Sequence, residues 1–374
     1  MKKTYSYFII IIIIIILVSA ILFIQKEKTI ENKEVNIGAI LFLSGDLSDL
    51  GKETLNSFLI AKEELEKENN IKINLEVEDN QSTATQAVMA YSKLSLKEYP
   101  LIISVGDAMN QALLPIASSN KTLLFTILTG SHDTNGEWMM RGWFNSRQQG
   151  STLANYVSST DSKTIGILKL NNPFSISLID VFKENLREDI NIVSEQTFNI
   201  ADFDTKVQLM KLKEENPDFI LVTGFGPTYP IIFKQARELD LNIPIIADDV
   251  IGIPYYFNSA GGYDVLNNVY YFATGFDNVN NIKSQEFINK YNTKYNTEPS
   301  FISAFAYDSF NAIVKVMLIC DTKDSSKLKE CFYNYEEKGL LGDIKFNSDG
   351  DIDVPIYIKQ YYNNQNIIIK KYSD

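Results

Sequence analysis

The chain is poor in the residues that usually carry chemistry. Its 374 residues include one histidine, His132, and two cysteines, Cys320 and Cys331. Nucleophilic catalysis therefore lacks its ordinary activating base, and no Gly-x-Ser-x-Gly elbow is present. Asp248 and Asp249 form a carboxylate pair, but adjacent residues at a strand end point to opposite faces and do not make an acid–base pair by themselves. Neither the cysteines nor His132 has metal-ligand spacing around it. Positive charge is scarce as well: 35 Lys and Arg against 47 Asp and Glu give a net charge of -12 and a pI near 4.8. With no basic stripe, a phosphate backbone has nothing to bind, so nucleic acid is not an expected partner.

Two stretches come near to ligand motifs and miss. "SGDLSDLGKET" (Ser44 to Thr54) has five residues rather than four between Gly45 and Gly51, Glu53 after Lys52, and two aspartates, Asp46 and Asp49, that would repel a triphosphate. "NSDGDIDV" (Asn347 to Val354) lacks the closing bidentate glutamate of a calcium loop and reads as a β-turn at Asp349-Gly350. No cofactor, metal or enzymatic activity is expected.

What the chain does have begins with an apolar run from Phe8 to Ile24 behind Lys2 and Lys3. Residues 1–24 read as a signal peptide or membrane anchor, at the border between a cleaved signal and the roughly 20 residues that span a bilayer. Val18-Ser19-Ala20 suits cleavage, while the four apolar residues that follow favour an uncleaved anchor. No cysteine follows, which excludes a lipid-modified N-terminal cysteine. The positive N-terminal end stays in the cytoplasm and the rest is exported. Polar residues 25–34 make a tether. In an exported chain the close pair Cys320 and Cys331 reads either as a disulfide between one helix end and the next or as two buried thiols.

From "VNIGAILFL" onward, apolar strand-like runs alternate with amphipathic helical patterns, and the series restarts near "KTIGILKL". Nearly continuous apolar strands between such helices imply parallel sheets covered on both faces. The fold class is α/β, with two doubly wound, Rossmann-like lobes. In such sheets ligands bind beyond the carboxyl ends of the strands, so the loops at the strand exits are the candidate cleft: "SGDLSDLG", "GDAMN", "LTGSHDT", "LNNPFS", "GFGPTY" and "ADDVIG".

The order and spacing of several segments resemble the branched-chain amino-acid-binding (Leu/Ile/Val-binding) family of periplasmic solute-binding proteins. They are "IGAILFLSGDLSDLGKETLNSFLIAKEELE", "LEVEDNQSTATQAVMAYSKL", "ISVGDAMNQALLPIAS", "DFDTKVQLMKLKEENPDFILVTG", "QARELDLNIPIIADD" and "FISAFAYDSFNAIVKV". The resemblance implies the type I periplasmic-binding-protein fold with a multi-strand hinge. The first lobe would comprise 35–147 and 276–337, the second 148–275 and 338–374. It also implies an amino acid held between the lobes, its carboxylate by hydroxyl and backbone groups of the first and its ammonium by an acid and an aromatic of the second. Transferred residue by residue, the carboxylate-binding serine falls on Ala108, with Asn110 close by, and the next element on Leu128, Thr129 and Gly130. The tyrosine falls on Phe174 and the acid on Asp249. These departures weigh against an α-amino acid as the ligand and leave the fold untouched.

The candidate ligand-binding residues are thus Ser44, Asp46, Asn110, Leu128, Thr129, Phe174, Phe225, Tyr229 and Asp249. The expected function is an extracytoplasmic protein, anchored at the cell membrane, that captures a small polar solute (an amino acid or related amide or amine) for an ABC importer. The alternative is a ligand-sensing ectodomain acting with a separate membrane transducer.

Overall fold

The computed structural model describes residues 33–276 and 281–372. The expected signal or anchor and the tether up to residue 32 lie outside the described residues.

The first lobe grows from alternating strands and helices: β1 (Glu34–Leu41), α1 (Ser48–Asn69), β2 (Lys72–Asp79), α2 (Ala84–Ser95), β3 (Leu101–Val105), α3 (Asp107–Asn120), β4 (Leu123–Ile127) and β5 (Met139–Arg141). All five strands run parallel in the order β2-β1-β3-β4-β5. Every residue of β3 and β4 is buried, as the unbroken "LIISV" and "LLFTI" runs require of strands covered on both faces. The N-cap of α2 is Thr83, whose side chain accepts from Gln86 N. Ser82, two residues before the helix, instead accepts from Leu47 N and donates to Ser44 O, tying the first loop to the end of β2.

The second lobe repeats the scheme with α4 (Ser146–Ser158), β6 (Thr164–Leu170), α5 (Pro173–Asn185), β7 (Asn191–Phe198), α6 (Lys206–Glu214), β8 (Phe219–Thr223), α7 (Tyr229–Glu238), β9 (Ile245–Ala247), the short helices α8 (Pro254–Ala260) and α9 (Gly262–Leu266), and β10 (Val269–Thr274). Its sheet is closed at one side by two antiparallel strands from the chain's end, β14 (Ile356–Tyr362) and β15 (Gln365–Tyr372).

Between β10 and β14 the chain returns to the first lobe as α10 (Ile282–Tyr295), α11 (Phe301–Cys320) and α12 (Ser325–Tyr333). Helix α11 is long and apolar enough to cross a membrane. It is a core helix, with Phe310 stacked on Phe58 of α1 at 5.0 Å. Glu53 of α1 accepts from the backbone N–H and hydroxyl of both Ser300 and Ser303, so one side chain satisfies four donors at the start of α11. A disulfide joins Cys320 at the end of α11 to Cys331 in α12.

One boundary differs from the sequence reading, which assigned 338–374 to the second lobe. A small antiparallel sheet of β11 (Glu337–Lys338), β12 (Asp343–Phe346) and β13 (Ile352–Asp353) packs on the first lobe. The Phe346 ring lies 5.8 Å from that of Phe125 and 5.3 Å from that of Phe332. Only β14 and β15 join the second sheet. The chain therefore passes between the lobes after β5, after β10 and before β14.

An ion pair braces these passages. Arg141, the last residue of β5 and 1% exposed, bridges in parallel to Asp351, with Nε 3.2 Å from Oδ1. Its guanidinium also donates to the carbonyls of Ser131 (3.1 Å) and Thr134 (2.6 Å). Asp351 Oδ2 accepts from Asn145 Nδ2 at 2.6 Å, and Asn145 is the N-cap of α4. Asp349-Gly350 lies in the expected turn, where Gly350 N donates to Asn347 O at 2.9 Å and Gly350 has φ +83°.

Candidate functional site

The strand exits of the two sheets face each other across a cavity of about 360 Å³, within the range of small-molecule sites. The first lobe contributes Phe42 after β1, Asp107, Ala108 and Met109 at the start of α3, Leu128 and Gly130 after β4, and Trp143 and Ile302. The second contributes Asn171 to Phe174 after β6, Asn199 and Ile200 after β7, Phe225 after β8, and Asp249, Val250 and Ile253 after β9. A cavity of similar size lies on the outer face of the first lobe. Three of its acids are already engaged: Glu64 with Lys290, Glu337 with Lys315, and Asp308 with the Leu340 and Leu341 amides. The interlobe cavity, with walls from both sheets and the unpartnered Asp249 Oδ1 in one of them, is the candidate site.

The lobes touch at its edge. A Cβ on Gly130 would lie 2.6 Å from Cδ2 of Phe174 in the opposite lobe, so this close approach requires glycine. Next to it, His132 Nδ1 lies 2.7 Å from Ser177 Oγ and 2.9 Å from Ser146 Oγ. His132 joins the lobes and does not line the cavity.

Of the nine residues expected to bind ligand, Leu128, Phe174, Phe225 and Asp249 line the cavity. The others sit in the same loops but face elsewhere. Ser44 is exposed and donates to Asp79 Oδ2 at 2.6 Å, and Asp46 is exposed. Asn110 is buried behind the wall, where its Nδ2 donates to Thr129 Oγ1 at 2.7 Å. Tyr229 is buried and donates to Asp248 Oδ1 at 2.6 Å. The sequence reading missed the apolar wall: Phe42, Trp143, Ile200, Val250, Ile253 and Ile302 look like core positions by pattern. Asn171 and Asn172 lie in the loop "LNNPFS" already singled out, though not among the nine residues, while Asn199 and Ile200 directly follow β7, whose exit the strand-exit rule would also have found.

The polar groups at the walls divide into satisfied and unsatisfied. Asp248 accepts from Gly224 N (2.7 Å), Tyr229 Oη (2.6 Å) and Val250 N (3.3 Å), and burial pushes its pKa up to about 6. Asp249 is 3% exposed, and its Oδ1 has no hydrogen-bond partner. Burial first, then the neighbouring Asp248, hold its carboxyl well above the usual carboxylate range. The side-chain amide of Gln149 lies beside it and pulls the other way, although neither amide atom makes a close hydrogen bond. Across the cavity, the half-buried Asp107 accepts from Ser131 N at 2.8 Å on one oxygen and from Gly130 N at 3.1 Å on the other. Burial raises its pKa, while the Ser131 amide and the Arg141 charge pull the other way. Among the described residues that line the cavity there is no Lys, Arg or His. With largely aliphatic and aromatic walls and two carboxyl groups, it can hold a small solute that has an apolar body and brings its own donor or positive charge.

Two doubly wound lobes, three passages between them and a cavity at the facing strand exits define a two-lobe solute-binding protein. A family model for periplasmic binding proteins matches residues 34–366. The chain belongs to that family of extracytoplasmic, non-enzymatic solute-binding proteins. It is similar to the Leu/Ile/Val-binding protein BraC3 of Rhizobium johnstonii, at 23% identity over 231 residues, 59% of this chain and 62% of that one. That match spans about three fifths of the relative's length. Among solved structures it resembles the branched-chain amino acid transporter substrate-binding protein LivJ of Streptococcus pneumoniae in complex with isoleucine. The TM-score is 0.81 at 22% identity, over 91% of this chain and 100% of that one. It also resembles an ABC-transporter solute-binding protein of R. palustris in complex with benzoate, with a TM-score of 0.81 at 14% identity, over 90% of this chain and 96% of that one. At these identities the structural likenesses speak to the fold, and the expected α/β architecture of two doubly wound lobes is the one observed.

Proposed function

We propose that this protein is the solute receptor of an ABC importer, tethered outside the cell membrane by its N-terminal segment, and that its lobes close on one small organic molecule. The observation that carries this reading is the cavity between facing strand exits with the buried, unpartnered Asp249 Oδ1 in its wall. A buried acceptor with no partner costs free energy that a ligand donor would recover. Closure is driven only by the difference in solute affinity between the closed and open forms, and contacts made by both lobes at once supply such a difference. The expected solute was polar; the walls favour one polar or cationic group on an apolar body. Leu128, Phe174 and Phe225 would pack on that body and Asp249 would receive the donor.

The test is a thermal-shift screen of the purified full-length protein against amines, amino acids, amides, aromatic acids, short peptides and sugars, followed by calorimetry on any hit. Saturable one-to-one binding with a raised melting temperature is expected, since ligand at 100 times its Kd stabilises by about 2.7 kcal/mol. No shift by any class at millimolar concentration would sink the reading.

A further inference from the structure

The first-lobe wall of the cavity contains an anion site that the protein fills itself. The consecutive N–H groups of Gly130 and Ser131 converge on one carboxylate, each on its own oxygen, at 3.1 and 2.8 Å. Successive backbone amides aimed at one point form an anion-binding concavity, and charge-assisted bonds to them are among the stronger ones. The carboxylate they hold is not a solute's but that of Asp107, which is also a cavity-lining residue.

Two of the hydroxyls on that wall are used as well. Ser82 Oγ is spent between Leu47 N and Ser44 O. Thr129 Oγ1 accepts from Asn110 and donates to Ile127 O behind the wall. The arginine whose charge acts on Asp107 is Arg141, which is 1% exposed, paired with Asp351 and absent from the lining. A solute carboxylate placed here would meet a resident carboxylate of the same sign and, among the described residues that line the cavity, no cation. On the facing wall the one unpartnered carboxyl oxygen, Asp249 Oδ1, is likewise an acceptor.

We propose that Asp107 is a specificity-determining residue: by occupying the Gly130 and Ser131 amides it excludes solutes that carry a carboxylate, so that the cleft selects amines with an apolar body over the corresponding amino acids and acids. The proposal rests on the solute-receptor reading above and names the ligand class of that same site. Asp249 then serves the ammonium group, and the apolar walls serve the remainder.

The test uses matched probes that share one apolar body: 2-phenylethylamine, L-phenylalanine and 3-phenylpropionate, with isoamylamine, L-leucine and 4-methylpentanoate as an aliphatic set. Affinities are measured by calorimetry on full-length wild-type protein and on Asp107→Asn, which keeps the side chain's size and removes its charge. In wild type the amine of at least one set should bind at least about tenfold more tightly than its amino acid, the worth of one charge-assisted contact, with the acid weaker still. In Asp107→Asn that preference should narrow by about tenfold or reverse. Should that variant not fold, Asp107→Ser supplies the same comparison, and the wild-type ratios alone remain decisive.

Wild-type binding of amino acids or acids as tight as that of amines overturns the proposal, as does an amine-to-amino-acid ratio unchanged by the substitution. Binding of some other class with no response to either amine also overturns it while leaving the solute-receptor reading intact. Failure of every solute in the wider screen removes that reading, and the proposal with it.

Discussion

Asp249→Asn should make the unliganded protein more stable and a worse receptor. The wild-type carboxyl is 3% exposed, leaves Oδ1 without a partner and adjoins a second carboxyl, Asp248. An unsatisfied buried acceptor costs about 1–3 kcal/mol. Asparagine has the same shape, carries no charge, and brings a donor to a neighbourhood where neither amide atom of Gln149 makes a close hydrogen bond. The variant should gain about 1–3 kcal/mol at neutral pH, at about 2–4 °C of melting temperature per kcal/mol for domains of a few hundred residues.

The sign of the pH dependence is fixed too. The folded-state pKa of Asp249 is raised well above its ordinary value by burial and then by Asp248, so the folded protein binds this proton more tightly than the unfolded chain does. Its contribution is favourable at and below the unfolded value of about 3.9 and is lost as pH rises through the folded value. The stability difference between variant and wild type should therefore be smallest near the acid end and grow with pH. Asp308, pushed up to about 7 by burial, acts with the same sign in both proteins and cancels. Melting temperatures and urea midpoints from pH 5 to 8, with calorimetry of an amine probe at neutral pH, provide the assay. A variant less stable than wild type at neutral pH, or a difference that does not grow with pH, would refute the view that this carboxyl is kept unpaired at a cost to the fold.

Other perturbations act on closure, on the hinge and on the disulfide. Gly130→Ala places a Cβ 2.6 Å from the Phe174 ring, an overpacking of about 1–3 kcal/mol that falls on the closed form, so solute affinity should drop by about tenfold while the urea midpoint changes little. Adding Phe174→Leu should recover part of that affinity, and an unweakened Gly130→Ala would show that the lobes need not approach this closely. Arg141→Met strands Asp351 beside the hinge and should cost about 3–5 kcal/mol in chemical denaturation, with most of it restored by adding Asp351→Leu. Equal stability of wild type and the single variant would remove the ion pair as a brace. Reducing the Cys320–Cys331 disulfide, a sequence separation of 11, should lower stability by about 2–4 kcal/mol; a melting temperature indifferent to reductant would contradict this.

Which parts of the molecule were legible in the sequence follows from what each pattern reports. "LIISV" and "LLFTI" state burial on both faces, and every one of their residues is buried in the parallel sheet. "DIKF" states only that alternate residues are covered. Ile344 and Phe346 are indeed buried, but Phe346 packs against Phe332 and Phe125 of the first lobe, and alternation says nothing about the partner. That is why the tail was divided wrongly between the lobes. The strand-exit rule led to the right loops because it depends on topology, which the alternation of strands and helices reveals. Within a loop, side-chain direction depends on partners far away in sequence. Ser44 faces away from the cavity because Asp79, at the end of β2, accepts from its hydroxyl and its amide. Thr129 turns inward to Asn110 for the same kind of reason.

The two aspartates after β9 show how a single step along the backbone divides structure from function. Adjacent side chains at a strand end diverge, and here Asp248 turns towards Gly224, Tyr229 and Val250, all of which donate to it. Those bonds shape the loops after β8 and β9, which also carry Phe225 and Val250 in the cavity wall. Asp249 lines the cavity, and its Oδ1 is buried in the wall without a partner. The satisfied carboxyl raises the cost of the unsatisfied one, since its charge is the second cause, after burial, of the raised pKa of Asp249. Exchanging Asp248 for Asn would thus ease the charging of Asp249 while weakening the support of the loops that aim it. Stability and solute affinity should then move in ways that neither residue's own contacts would suggest. A carboxyl left unpaired beside a well-bonded one is a poor way to stabilise a fold and a direct way to prepare a cleft for a donor that arrives from outside.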